Sequence, residues 1–81
     1  MRLDKYLKVS RLIKRRTVAN EACSTGHVSI NGKPAKAANE IAIGDVIEIR
    51  FGERLTKVKV TNIAEVVRKD DAALMYDIMT N

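Results

Sequence analysis

Residues 14–32 read KRRTVANEACSTGHVSING, and the order of parts in that stretch decides the fold. Three consecutive cations, Lys14, Arg15 and Arg16, lead into Thr17, whose hydroxyl suits a helix N-cap by accepting a backbone N–H further on. Val18, Ala19, Ala22 and Cys23 then share one face of a short helix over 18–24. Gly26 stops it, because the left-handed backbone that closes many helices resists residues with a Cβ. Val28 and Ile30 alternate with Ser29 as a half-buried strand, and Asn31-Gly32 is a strong hairpin signal. The arrangement sets dense positive charge at a helix entrance, where free N–H groups and the helix dipole add to it, with a hairpin behind. A surface of that kind binds phosphate.

Working outward, residues 2–9 place Leu3, Tyr6 and Leu7 at the i, i+3, i+4 spacing of a first helix, with Arg2, Lys5 and Lys8 on its other side. Tyr6 belongs in the core with its hydroxyl at the surface, and Asp4 lies in the first turn, where a negative charge suits the dipole. So short a helix is unstable alone and must pack. In the connection, Val9, Leu12 and Ile13 anchor inward, leaving Arg11, Lys14, Arg15 and Arg16 outward.

Downstream, Lys33-Pro34-Ala35-Lys36 returns the hairpin, with Pro34 marking an edge or turn. Ile41 and Ile43 alternate, Gly44-Asp45 turns, and Val46–Phe51 reads as a strand with Ile47, Ile49 and Phe51 inward. Gly52-Glu53 turns again into an alternating run at 57–61. Ile63–Val67 extends the sheet or starts a separate strand. Asp70 or Asp71 caps a last short helix, Ala72–Met79, with Leu74, Met75 and Ile78 on one face. The fold class is α+β: two or three short helices packed on a small, curved, mostly antiparallel sheet, with a short C-terminal helix.

The bulk numbers bound the function. A chain of 81 residues makes one domain with a thin core, burying only ~60% of its unfolded surface, which leaves little room for a catalytic cleft. There is no apolar run near the ~18 residues of a membrane span and no secretory leader pattern, and one cysteine forms no internal disulfide. These features predict a cytoplasmic protein without membrane attachment. Net charge is +5, unevenly spread: residues 1–36 hold nine Lys/Arg against Asp4 and Glu21, and residues 37–81 carry a net −2. One basic half points to a polyanion met by one face; a solvated charged surface is the plainer alternative.

Catalytic chemistry finds no support. His27 and Cys23 have no second histidine or cysteine to build a metal site or nucleophile dyad, Cys23 reads as a small buried hydrophobe, and Asp70-Asp71 read as caps. No Gly-rich loop precedes a helix, so no nucleotide cofactor is expected. Three aromatics are too few for a single-strand stacking platform, which favours recognition of RNA shape and backbone. The candidate contacts are Arg11, Lys14, Arg15 and Arg16 first, then Arg2, Lys5 and Lys8. Thr17 and Asn20 at the helix start, Lys33 and Lys36 near the hairpin tip, and His27 as a base-stacking or phosphate contact complete the set. Two rival readings remain: a helix-turn-helix-like DNA binder, and a protein adaptor using the acidic C-terminal half.

Arg2-Leu3-Asp4 with Leu7, the basic loop with Arg11 and Arg16, Ala19, Gly26-His27-Val28, Ile30-Asn31-Gly32 and Gly44-Asp45-Val46-Ile47 are ordered and correctly spaced. Together they resemble the RNA-binding domain of the ribosomal protein S-four type, the alpha-L motif, over residues 2–51. The resemblance implies residues 1–52 as that domain, with 53–81 as a strand and helix extension packed on it. The short stand-alone form is similar to the heat-shock protein fifteen group and its ribosome quality-control members. That implies a non-enzymatic factor that binds ribosomal RNA of the large subunit and tRNA; so small a chain is also expected to act as a monomer. It implies further that such a factor works with an RqcH-type factor tailing stalled chains with alanine.

Overall fold

The computed structural model describes residues 1–65 and 67–79. Helix α1 spans Leu3–Val9 and buries Leu3, Tyr6 and Leu7 completely. Its entrance is closed by a loop instead of a cap side chain: the Leu3 N–H donates to the Asn39 carbonyl at 2.7 Å and the Asp4 N–H to that of Ala37 at 3.2 Å. Helix α2, Arg16–Ser24, presents Ala19, Ala22 and Cys23 to α1 and the sheet; Val18, expected inward, is 42% exposed.

Both helices end on a residue of positive φ, with the outer closing bond one residue longer after α1 than after α2. After α2, the His27 N–H donates to the Ala22 carbonyl and the Gly26 N–H to that of Cys23, with Gly26 at φ +81°, a Schellman close. After α1, the Arg11 N–H donates to the Lys8 carbonyl and the Ile13 N–H to that of Leu7, with Arg11 at φ +61°. An arginine therefore stands where glycine would be unstrained.

The sheet is antiparallel throughout in the order β2-β1-β3-β4-β5, built from β1 (Val28–Ile30), β2 (Lys33–Pro34), β3 (Val46–Phe51), β4 (Arg54–Val60) and β5 (Tyr76–Ile78). Asn31 and Gly32 both take positive φ, as a two-residue turn of that hand requires. Asn31 also accepts from the Val46 N–H at 2.9 Å and donates to Asp45 at 3.1 Å, pinning the first hairpin to the Gly44-Asp45 turn. Val28, Ile47, Ile49, Val58 and Val60 face the helices in one core. Each such buried aliphatic side chain contributes ~1.5–3 kcal/mol relative to exposure.

Several expectations shift. Ile41 and Ile43 form no strand: Asp45 accepts the Ala42 N–H at 2.9 Å and bends the segment, burying Ile41 and leaving Ile43 66% exposed. Phe51 alternates inward but lies beyond the helices and is 46% exposed. Residues 61–65 and 67–68 are irregular instead of strand, and Val66 of that expected extension lies outside the described residues. The final helix is a 3₁₀ helix over Lys69–Met75, with Asp70 and Asp71 inside its first turn and no side-chain cap. The chain then straightens into β5, because β4 needs an edge partner: Tyr76–Ile78 pairs with Val58–Val60, so Tyr76 is a strand residue. Met75 is buried, but Leu74 and Ile78 are 68% and 70% exposed and share no covered face with it. The Tyr6 hydroxyl is buried as well, donating to the Met75 carbonyl at 2.7 Å, which ties α1 to the C-terminal segment.

Candidate nucleic-acid interface

Asp4, read from the sequence only as a first-turn charge suited to the helix dipole, is 2% exposed and organises the basic face. Its Oδ1 accepts from the Lys5 N–H at 2.8 Å and from Arg2 Nε at 3.2 Å. Its Oδ2 accepts from Arg2 Nη2 at 3.3 Å, Arg16 Nε at 3.3 Å and Asn20 Nδ2 at 3.5 Å. Burial of the carboxyl works against ionisation, but the bonds from Arg16, Asn20 and the Lys5 N–H outweigh it and hold its pKa below the ordinary value. The carboxylate thus brackets Arg2, at the cap of α1, and Arg16, the first residue of α2. Both side chains stay 47% exposed, and Arg16 bonds through Nε alone, leaving its two terminal nitrogens for a ligand.

Beside this bracket, Lys8, Arg11 and Lys14 line one groove of about 180 Å³, with Val9, Glu65 and Val67 as the rest of its wall. Lys8, Arg11, Lys14 and Arg15 are exposed and make no ion pair among the described residues. Lys5 pairs with Glu65, and that bond holds the Glu65 carboxyl below its usual range. Thr17 does not cap α2: the helix starts two residues earlier than expected, at Arg16, Arg15 occupies the cap position, and no side chain bonds the entrance. The N–H groups of Arg16, Thr17 and Val18 consequently have no acceptor among the described residues and open among the cations.

The structure therefore places Arg2, Lys5, Lys8, Arg11, Lys14, Arg15, Arg16, Thr17 and Asn20 along α1, the loop after it and the first turns of α2. His27, Lys33 and Lys36 lie past the other end of α2: Lys33 on the edge strand, Lys36 beside Cys23 and Pro34. Asn20 turns its amide to Asp4, leaving Glu21 as the remaining base-reading candidate of that helix, a poor set for a major groove. Burial pushes the Cys23 thiol up to about 11, which suits an inert packing role. Asp4 was hidden from sequence reasoning because its partners stand up to sixteen positions away.

Two short helices docked on an antiparallel sheet, with a braced basic face at the helix junction, define a small RNA-binding domain of the S4 kind. The S4 domain model matches residues 1–47, and the chain belongs to that family. It is 53% identical to a Halalkalibacterium halodurans protein named RQC P-site tRNA stabilizing factor, covering 96% of this chain and 89% of that one. It is 51% identical to the Bacillus subtilis protein of the same name, covering 98% and 92%. Among solved structures, the trimeric heat shock protein 15 of Vibrio cholerae superposes with a TM-score of 0.90 at 30% identity, over 98% of this chain and 81% of that one.

Proposed function

We propose that the protein is a non-enzymatic RNA-binding factor of ribosome quality control that holds tRNA on the large ribosomal subunit. The observation that carries this is the Asp4 bracket: one buried carboxylate fixes Arg2 and Arg16 beside a groove of unpaired cations. Guanidinium forks held in place bind phosphate oxygens with less ordering cost than free side chains, and the open N–H groups of α2 add donors. The names of the H. halodurans and B. subtilis relatives support a role at P-site tRNA. Contact with large-subunit ribosomal RNA and support of alanine tailing beside an RqcH-type factor are what the family resemblance adds to this reading.

The test is sedimentation of the tagged chain with ribosomal particles through a sucrose gradient. Co-migration with free large subunits, lost on reversing the charge of Arg15 and Arg16, is the expected result. Migration at the top of the gradient, or co-migration insensitive to those substitutions, contradicts the reading. Replacing the exposed Asp70, Asp71 and Asp77 with asparagine separates off the adaptor alternative, which requires those substitutions alone to abolish association.

A further inference from the structure

Past the C-terminal end of α2, His27 and Phe51 stack with ring centroids 6.2 Å apart and planes inclined by 16°. Such a pair sits within the favourable offset-stacking range. Yet the chain's one phenylalanine is left 46% exposed and His27 is exposed beside it. The histidine ring is fixed. The Thr25 hydroxyl donates to the Glu21 carbonyl at 2.8 Å and is hydrogen-bonded to His27 Nδ1 at 2.6 Å. The other ring nitrogen, Nε2, has no hydrogen-bond partner among the described residues.

Two arginines stand at this hairpin end, one on each face of the sheet. Arg54 stands opposite Phe51 in the β3–β4 register, and Arg50 lines a groove of about 80 Å³ with His27, Ser29, Glu48 and Leu55. Neither arginine makes an ion pair among the described residues, whereas Glu48, the carboxylate of that groove, lies 3.8 Å from Lys57. Gly52 at φ +59° closes the hairpin that presents them. This end stands apart from Arg16 by the length of α2, about 14 Å.

We propose that this hairpin end is a second RNA contact, where one unpaired nucleotide stacks on the exposed Phe51–His27 pair and Arg50 and Arg54 take the adjoining phosphates. Three aromatics cannot hold a run of bases, but one pair holds one, without sequence preference because every base has a π-face. His27 Nε2 is open to a hydrogen bond with a 2′-hydroxyl or a base edge. The contact rests on the RNA-binding function proposed above and extends it from a folded stem to an emerging single strand.

The test measures affinity of the full chain for a stem-loop RNA of about 12 base pairs, with and without about six unpaired nucleotides added at either end. The extension tightens wild-type binding about five-fold or more. Phe51→Leu loses that gain and leaves stem-loop affinity unchanged, and Phe51→Trp keeps the gain, which separates stacking from an effect on folding. Arg50→Gln with Arg54→Gln lowers the salt slope on the extended RNA by about 0.7 per arginine. Arg15→Gln weakens both RNAs together. An extension that adds nothing, or a gain that survives Phe51→Leu, overturns the second contact; failure to bind either RNA overturns the RNA-binding function itself.

Discussion

Arg15 and Arg16 are neighbours in the chain and opposites in the fold. Arg16 is braced through Nε by the buried Asp4, which also holds Arg2, so these two guanidiniums are positioned before any ligand arrives. Arg15, with Lys8, Arg11 and Lys14, is held by no carboxylate among the described residues. The loop carrying them has a cost of its own at Arg11, whose φ of +61° a side chain resists. One set supplies geometry and the other supplies mobile charge. Affinity in the braced set should depend on which cation is present, and in the loop set mainly on there being one.

The harshest way to break this contrast is Asp4→Ala. It strips a buried acceptor from Arg2, Arg16, Asn20 and the Lys5 N–H, and should cost about 2 kcal/mol of stability in urea unfolding. RNA affinity should fall about ten-fold or more although the protein becomes more positive, the reverse of what bulk charge dictates.

Next come the paired arginine substitutions, read by filter binding or fluorescence anisotropy. Arg16→Gln should weaken RNA about ten-fold and Arg15→Gln about three-fold. Lysine sharpens the comparison, since an ammonium cannot bond Asp4 and a phosphate as a planar fork does. Arg16→Lys should stay near Arg16→Gln, while Arg15→Lys should be nearly silent. Arg11→Gly then separates strain from binding: the denaturation midpoint should rise, by up to about 1 kcal/mol in stability, while affinity drops by one phosphate contact.

Acidification has the smallest effect near neutrality. The Asp4 pKa is depressed in the folded state, so its stabilising contribution is complete above the ordinary value of 3.8 and is lost as pH falls through the lower folded value. Stability should therefore show no Asp4 contribution to its pH dependence between about pH 5 and 7 and decline below about pH 4. In Asp4→Ala that decline should be shallower.

What the sequence disclosed was local. Gly26 and Asn31-Gly32 demand backbone conformations that few other residues adopt, and both turns appear with the expected signs of φ. The apolar spacing of Leu3, Tyr6 and Leu7 and of Ala19, Ala22 and Cys23 sufficed for the helix faces. Tertiary partners were not legible. Thr17 looked like a cap because the pull of Asp4 on Arg16 is invisible in the chain, and the helix begins at Arg16 instead. The tail looked helical because nothing in 72–79 says that β4 lacks an edge neighbour. The basic loop was readable as charge, but its sorting into braced and free cations was not, since that depends on one carboxylate buried between two helices.

The measurement closest to the central claim is the salt dependence of binding to a folded RNA. With about five to seven phosphates neutralised by the gathered cations, log affinity against log salt should fall with a slope of about −3.5 to −6. A slope near zero would contradict the account, because no set of guanidinium and ammonium groups can grip a phosphate backbone without releasing its counterions.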